Sequence, residues 1–464
     1  MTKKLDQTDG QTEERWCGTV FDESHGQPQE QPQDGCDGGI LEKPLMNDVT
    51  RSFVEAHRDE DVRDLALKAK RKEGLDLPMA LDQIAGWQIA RKKLPEWASC
   101  ADIVYPAHIS MEQCSSQFTA QYKAEIARRL QQSTPPSAPQ SAPQSKESST
   151  AEVGMVDLTG GFGVDCSYIA REFSQATYAE RQPHLCGLAA HNMAALGLAH
   201  VRVVRGDGVE YLRSMEPTWL IYIDPARRDE HGARTYAIED CTPDVLALRD
   251  ELLAKARYVM VKLSPMLDWR KAVDDFAGAV AEVHIVSTGN ECKELLLVLD
   301  GDDGGPRAPH VYCVNDDQRL DYDAAAYTRG LRIGEAPLPE RPHYLYEPNA
   351  SIMKAGCFDV IEERYGVTQV GPGSHLFVSD APVAGFPGRG FAIEAVGGMG
   401  KKELRRLLSG LDRANIAVRN FPLTAPQLRR KLKLADGGDA YLFGTTMQGG
   451  AHVLFRTAKI DVGC

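Results

Sequence analysis

Residues 154–173 read GMVDLTGGFGVDCSYIAREF, and the fold turns on them. A short β-rich run ends at Asp157, the loop Leu158-Thr159-Gly160-Gly161-Phe162-Gly163 follows, and a helical segment begins at once. Glycines at such a junction let the backbone turn sharply and approach a ligand closely, with the N–H groups of the helix start facing it. A tight turn alone uses the same residues, so the loop gains meaning only from its surroundings.

Downstream, β-rich runs alternate with helical segments: ATYAE (176–180), PHLCGLAAHNMAALG (183–197), VRVVRG (201–206), WLIYID (219–224), a helix within 242–256, YVMVKL (258–263), a helix within 269–280, EVHIVS (282–287) and ELLLVL (294–299). This pace predicts a Rossmann-like α/β domain over 153–300, a parallel sheet covered on both faces. Only Thr288 to Glu294 separate the last two strands, too short for a parallel crossover, so they must form an antiparallel hairpin. GDDGGPRAP (301–309) then loosens the chain, and 301–340 reads as a connector. Residues 341–464 form a further α+β unit with strands in HLFVSD (375–380), FAIEAV (391–396) and AYLFGTT (440–446).

Upstream, residues 53–72 and 79–97 space apolar residues at three and four, which predicts a helical N-terminal domain over 46–132. The doubled SAPQ stretch, within 133–152, reads as a linker, and 1–45 as a disordered acidic tail too poor in apolar residues to order. The chain of 464 residues is 42% hydrophobic and 26% charged, enough for two or three domains. No apolar run reaches the ~20 residues of a membrane span, and no apolar segment follows Lys3 and Lys4, so neither a membrane partner nor secretion is expected. Eleven cysteines without a C-x-x-C pair suit neither a disulfide framework nor a thiolate zinc site, which points to a reducing, cytoplasmic setting without metal. His184 and His191 share a helix face but lack carboxylate or thiolate partners at ligand spacing. The net charge is −13, of which residues 1–50 carry −7.

Three acids give the glycine loop its meaning. Asp157 closes the first strand, where a carboxylate can hold a cofactor's amino group through water; Glu180 closes the second, where an acid grips a ribose diol; Asp207 follows the third, placed to accept from an adenine amino group. Thr159, Gly161, Gly163 and Arg181 complete the expected cofactor contacts. A nicotinamide dinucleotide needs a third glycine and a helix start that welcomes pyrophosphate, but this chain has Cys166 at that spacing and Asp165 at the helix start. S-adenosylmethionine (SAM) carries a sulfonium and no phosphate, so it fits better. The terminal hairpin agrees, because the seventh strand of a methyltransferase sheet is antiparallel.

Asp224-Pro225-Ala226-Arg227 ends the fourth strand, beside the switch point where such sheets bind ligands. It is either a strand-ending turn or the catalytic segment, with Asp224 and the backbone around Pro225 hydrogen-bonding a nucleophile. Methyl transfer needs little acid–base help and much alignment.

Taken together, QCSSQFTAQYKA (113–124), DLTGGFGVD (157–165), IDPARRD (223–229), VKLSPMLDW (261–269), NECKELLL (290–297), YEPNASIMKAG (346–356) and RNFPL…LRRKLKLADGGDAYLF (419–443) resemble the bacterial class I SAM-dependent methyltransferases with a C-terminal THUMP-like domain. The resemblance spans about 50–464 and implies a seven-stranded methyltransferase sheet, an RNA partner, rRNA or tRNA, and SAM as cofactor. Two departures matter. Amino-group methylases of adenine and guanine carry (Asp/Asn)-Pro-Pro-aromatic at the fourth strand, where this chain has Ala226 and Arg227, whose guanidinium can stack on a base or pair with phosphate. Carbon-5 uracil methylases carry a cysteine after the fifth strand, where this chain reads Val261-Lys262-Leu263-Ser264-Pro265.

Lys262 and Ser264 end the fifth strand as candidate substrate contacts, although Lys262 would equally snorkel out of a sheet edge. Residues 395–435 hold Lys401, Lys402, Arg405, Arg406, Arg413, Arg419, Arg429, Arg430, Lys431 and Lys433 against Glu403 and Asp412, a local +8 that is either a solvated helical face or a phosphate-contacting one, with Arg419, Arg429, Arg430 and Lys431 as its expected contacts. Gln113 to Lys123 forms either a lid over the cofactor or an amphipathic helix with Phe118 and Tyr122 in the core. The expected function is methylation of structured RNA by direct transfer, without a covalent cysteine intermediate. The alternatives are a non-catalytic RNA-binding protein on a degenerate SAM fold, or a methyltransferase of a small molecule or protein.

Overall fold

The computed structural model describes residues 45–68, 72–106, 108–132, 154–227, 238–301, 308–327 and 342–463. The expected acidic tail and SAPQ linker lie outside them, as does the side chain of Arg227.

Six helices come first: α1 (Asp48–His57), α2 (Val62–Lys68), α3 (Leu77–Lys93), α4 (Pro95–Ser99), α5 (His108–Gln113) and α6 (Gln117–Gln132). The Asp76 side chain accepts from the Met79 N–H at the start of α3, and Pro78 fits the first turn, where no intrahelical donor is needed. The α/β unit follows as β1 (Gly154–Asp157), α7 (Val164–Ile169), β2 (Gln175–Glu180), α8 (Pro183–Ala195), β3 (Val201–Arg205), α9 (Gly208–Ser214), β4 (Thr218–Ile223), α10 (Arg249–Lys255), β5 (Ala256–Leu263), α11 (Trp269–Asp275), β6 (Val280–Thr288) and β7 (Glu291–Asp300). Residues read as a connector add β8 (His310–Asn315) and β9 (Gln318–Asp323).

The sheet order is β9-β8-β6-β7-β5-β4-β1-β2-β3. The first five strands pair in parallel, β7 runs antiparallel to both β5 and β6, and the β8–β9 hairpin extends the β6 edge. Central strands read as continuous apolar runs because both faces are covered. On one face Val156, Ile221, Ile223, Val259 and Val261 pack on Leu212, Leu252 and Trp269. On the other, Met155, Leu220, Tyr222 and Met260 pack on Cys166, Ala189 and Met193 together with Tyr122, Ile126 and Leu130 of α6. α6 is therefore the amphipathic helix rather than a lid, and its apolar face completes the core of the sheet.

The C-terminal unit is a seven-stranded sheet built from β10 (Tyr344–Pro348), β11 (Thr368–Gln369), β12 (Phe377–Ser379), β13 (Gly388–Gly398), β14 (Asn415–Arg419), β15 (Ala440–Thr446) and β16 (His452–Ile460) in the order β11-β12-β10-β13-β16-β15-β14. Its helices are α12 (Ala350–Ala355), α13 (Phe358–Tyr365), α14 (Lys401–Leu407) and α15 (Ala425–Leu432). Ile352 and Ala355 of α12 and Phe358 and Ile361 of α13 join the core on the first face of the large sheet.

Candidate active site

The sheet order reverses between β1 and β4, and their carboxyl ends lie side by side, with Asp157 opposite Tyr222. Past those ends the Thr159 hydroxyl oxygen accepts from the Asp224 N–H at 2.7 Å, which ties the glycine loop to the end of β4. The loop is tightly determined. A Cβ on Gly160 would lie 2.3 Å from the Tyr178 ring, and Gly161 and Gly163 adopt φ of 55° and 85°, the left-handed region that glycine enters without strain. The Tyr178 hydroxyl donates to the Gly161 carbonyl at 2.5 Å, and Phe162 meets the Trp97 ring edge-on at 5.0 Å, so the N-terminal helices brace the loop from outside.

The expected cofactor acids flank this loop. Glu180 is buried and its two carboxylate oxygens accept from the Gly161 and Gln182 N–H groups at 2.9 and 2.7 Å. A carboxylate has lone pairs for about four hydrogen bonds, so these contacts orient Glu180 and leave capacity for a ligand. Asp157 is buried, accepting from the Thr159 N–H at 2.9 Å. Burial pushes its carboxyl up to about 8, against the Thr159 bond and helped by the negative charges of Asp165, Asp224 and Glu180. Asp207 is exposed and caps α9 through the Val209 and Glu210 N–H groups, and Arg181 is exposed beside Glu180.

Lys262 does not snorkel from a sheet edge, because β5 lies between β4 and β7. Its ammonium sits 2.7 Å from Asp224 Oδ2, 3.2 Å from Ser115 Oγ and 3.4 Å from Asp165 Oδ2. Behind it, Lys123 of α6 is wholly buried, donates to both Glu294 oxygens at 2.7 and 2.8 Å, and lies 3.1 Å from Asp165 Oδ1. Ser115 Oγ and the Tyr222 hydroxyl donate to Asp165 Oδ2 at 2.8 and 2.7 Å. Two ammoniums thus face three carboxylates, and only Asp224, whose side chain is 38% exposed, opens appreciably to solvent. Burial alone would raise the Asp165 carboxyl, but Lys123, Lys262, Tyr222 and Ser115 outweigh it and hold the group well below the usual carboxylate range. Burial likewise works against the Lys262 ammonium, yet the Asp224, Asp165 and Glu294 carboxylates raise its pKa above the usual lysine value. Lys123, Glu294 and Ser115 were not among the candidates read from the sequence.

Pro225 is buried, and Ala226, exposed, forms with Arg227 a two-residue ladder against Cys241–Thr242. Ser264 Oγ accepts from the Met266 N–H. His191 hydrogen-bonds the Asp102 carbonyl oxygen, a packing role, and among the described residues no His, Cys, Asp and Glu cluster could hold a metal.

Two of the four cations expected on RNA are engaged inside the C-terminal unit. Arg419 pairs with buried Glu347, which also holds Arg389. Arg429 donates to the Ala414 and Ala435 carbonyls and pairs with Asp436, because α15 ends there with Lys433 at φ 57° and the returning loop brings those acceptors under the guanidinium. Arg430 and Lys431 are exposed, as are Lys401, Lys402, Arg405 and Lys433.

Residues 388–459 match the THUMP domain-like family, and residues 344–387 match a ferredoxin-like domain family. No curated protein sequence matches the chain. Among solved structures, the chain is distantly similar to a SAM-dependent methyltransferase from Agrobacterium tumefaciens (15% identity, 40% of this chain and 61% of that one, TM-score 0.28) and to a protein assigned as an RNA methyltransferase from Pyrococcus horikoshii (11%, 46% and 97%, 0.32). A protein assigned as a methyltransferase from Porphyromonas gingivalis W83 is different in kind: it is 30% identical, over 89% of this chain and 98% of that one, with a TM-score of 0.75. Similarity over nearly the whole of both chains places this one in a family, and the chain belongs to the bacterial class I SAM-dependent methyltransferases that carry a C-terminal THUMP-like domain.

Proposed function

We propose that the chain transfers a methyl group from SAM directly to structured RNA, rRNA or tRNA, in the cytoplasm. The observation that carries this reading is Asp224, whose carboxylate, partly open to solvent, is held by Lys262 and whose backbone N–H is tied through Thr159 to the glycine loop. The loop fits SAM: Gly161 and Gly163 leave backbone without side chains at its rim, Glu180 offers a carboxylate to a ribose, and Asp157 a buried carboxyl that a cationic group would ionise. Asp157, Thr159, Gly161, Gly163, Glu180, Arg181 and Asp207 would hold it, and when bound it supplies an electrophilic methyl group. Asp224 and the backbone around Pro225, with Ala226 and Arg227, receive the acceptor. Direct transfer is favoured because burial raises the thiols of Cys114 and Cys166 above their ordinary values, which keeps them protonated and poorly nucleophilic. Among the described residues no helix is long and apolar enough to cross a membrane.

Calorimetric titration with SAM, followed by radiolabelled methyl transfer to RNA from a strain lacking the protein, tests the reading. Glu180→Ala should weaken SAM binding by about tenfold or more, since hydrogen bonds to a charged acceptor are worth ~1.5–3 kcal/mol each. Wild-type protein that ignores SAM and binds NAD would overturn the cofactor assignment.

Asp157 makes SAM binding pH-dependent. Its folded pKa of about 8 lies above the unfolded value, so its contribution to stability is complete below about pH 4 and is lost as pH rises through 8. A cationic amino group on Asp157 favours the ionised form, so binding near pH 7 should release a proton and tighten by up to about tenfold per pH unit toward 8. Binding heats measured in two buffers of different ionisation enthalpy should differ accordingly; equal heats count against the contact.

The exposed cations dock the RNA. Replacing Arg430, Lys431 and Lys433 with alanine should lower the slope of log affinity against log salt by up to about three units in filter binding, because each phosphate contact contributes about one. An unchanged slope would make this a solvated helical face.

A further inference from the structure

We propose that the methyl acceptor is a ribose 2′-hydroxyl, engaged by the Lys262 ammonium and the Asp224 carboxylate while the buried Lys123–Glu294 pair holds that couple in place. The proposal rests on the RNA reading above and names the acceptor atom within it.

Lys262 and Asp224 present one donor and one acceptor 2.7 Å apart at the end of β4, and a hydroxyl is the group that answers both. Its proton meets Asp224. One oxygen lone pair takes an N–H of Lys262, which turns from Asp165, its longest contact at 3.4 Å, and the other lone pair remains for attack. An amine acceptor is served badly by the same couple, because an ammonium bonded to the attacking nitrogen would occupy the lone pair the reaction needs. A flipped base also wants a ring face to stack on, and Ala226, following Pro225, offers none. The 2′-hydroxyl is the sugar group by which a protein tells RNA from DNA.

Asp224 takes the hydroxyl proton as the oxygen's electron pair forms the new C–O bond. The pair of the breaking C–S bond stays on sulfur as a neutral thioether, and Asp224 then passes the proton to water. Lys262 remains charged throughout, since the Asp224, Asp165 and Glu294 carboxylates hold its proton, and it stabilises the negative charge developing on oxygen. Lys123 and Glu294 are positioning residues. They fix Asp165 and, with it, Ser115, whose hydroxyl donates to Asp165 and stays in contact with Lys262.

The test incubates the full chain with tritiated SAM and total rRNA and tRNA from a strain lacking the protein, then hydrolyses the RNA in alkali. A 2′-O-methyl group blocks cleavage at its own phosphodiester, so label in alkali-stable dinucleotides is the expected result. Lys262→Met should slow single-turnover transfer by about 100-fold or more, with cofactor-free filter binding of the same RNA changed less than about threefold, a readout in line with one lost contact among many. Lys262→Arg, which keeps the charge, should recover part of the rate. For the positioning pair, Lys123→Met combined with Glu294→Leu, shown by its melting curve to be folded, should lower kcat and leave KM for RNA unchanged. Label in mononucleotides as a methylated base overturns the hydroxyl assignment and leaves the RNA reading standing. Absence of label from RNA overturns the RNA reading and this inference with it. Ribose label made at wild-type rate by Lys262→Met removes that lysine from the site.

Discussion

Lys123→Met should destabilise the fold by about 3–5 kcal/mol, the usual consequence of removing one partner from a buried ion pair. Lys123 is fully buried on α6, and its ammonium meets Glu294 on β7 and Asp165 at the start of α7. Methionine fills nearly the same volume, so a cavity contributes little and the loss is electrostatic. Among the described residues Glu294 would keep no cation within ion-pair distance, and its carboxyl would be forced toward the neutral form. The sign of the pH dependence follows. A folded pKa raised above the unfolded value is harmless below about pH 4 and destabilising as pH rises through the folded value, so the deficit should shrink at pH 5 and grow at pH 8. Urea unfolding at the two pH values measures it, and Glu294→Leu added to Lys123→Met should recover stability by removing the orphaned charge. A deficit below about 1 kcal/mol, or one that ignores pH, would show that the pair is solvated or dispensable.

What the sequence made legible was what it encodes locally. Asp157, the glycine loop, Glu180 and Asp224 each occupy a strand end or strand–helix junction, so a short window of residues carries both the element and the chemistry. The hairpin of β6 and β7 followed from chain length alone. Lys123 and Glu294 lie 171 residues apart, and nothing near either announces the other. Each left a weak trace: an acid directly before LLLVL in a strand buried on both faces, and a lysine beside Tyr122 on the inner side of α6. A buried charge demands a partner, but only the fold says which. β8 and β9 escaped notice because GDDGGPRAP before them reads as a loop, although HVYCVN and QRLDYD have strand-like composition and alternation. Arg429 and Arg419 were counted by charge, and charge does not reveal that one guanidinium closes a helix end and the other neutralises a buried glutamate.

Asp224→Ala should lower single-turnover methyl transfer by about 10²–10⁴-fold, the range for losing a positioned proton acceptor. The prediction separates chemistry from binding because the two depend on different atoms of the same residue. The Asp224 N–H, which holds Thr159 and through it the glycine loop, survives the substitution, so SAM affinity should stay within about twofold. RNA affinity should survive as well if docking depends on the exposed cations of the C-terminal unit. Lys262 keeps Asp165 and Ser115 as partners, and so remains charged and in place. The variant should therefore bind both substrates and turn over neither, whereas the Arg430, Lys431 and Lys433 triple variant should bind RNA weakly and react at a near-normal rate once RNA is saturating. Calorimetry with SAM, filter binding across a salt series and a single-turnover assay read the three quantities independently. Transfer persisting in Asp224→Ala would take that carboxylate out of the reaction. Lost SAM affinity in the same variant would instead mean that the carboxylate serves the cofactor, and that the acceptor enters elsewhere along the carboxyl ends of the strands.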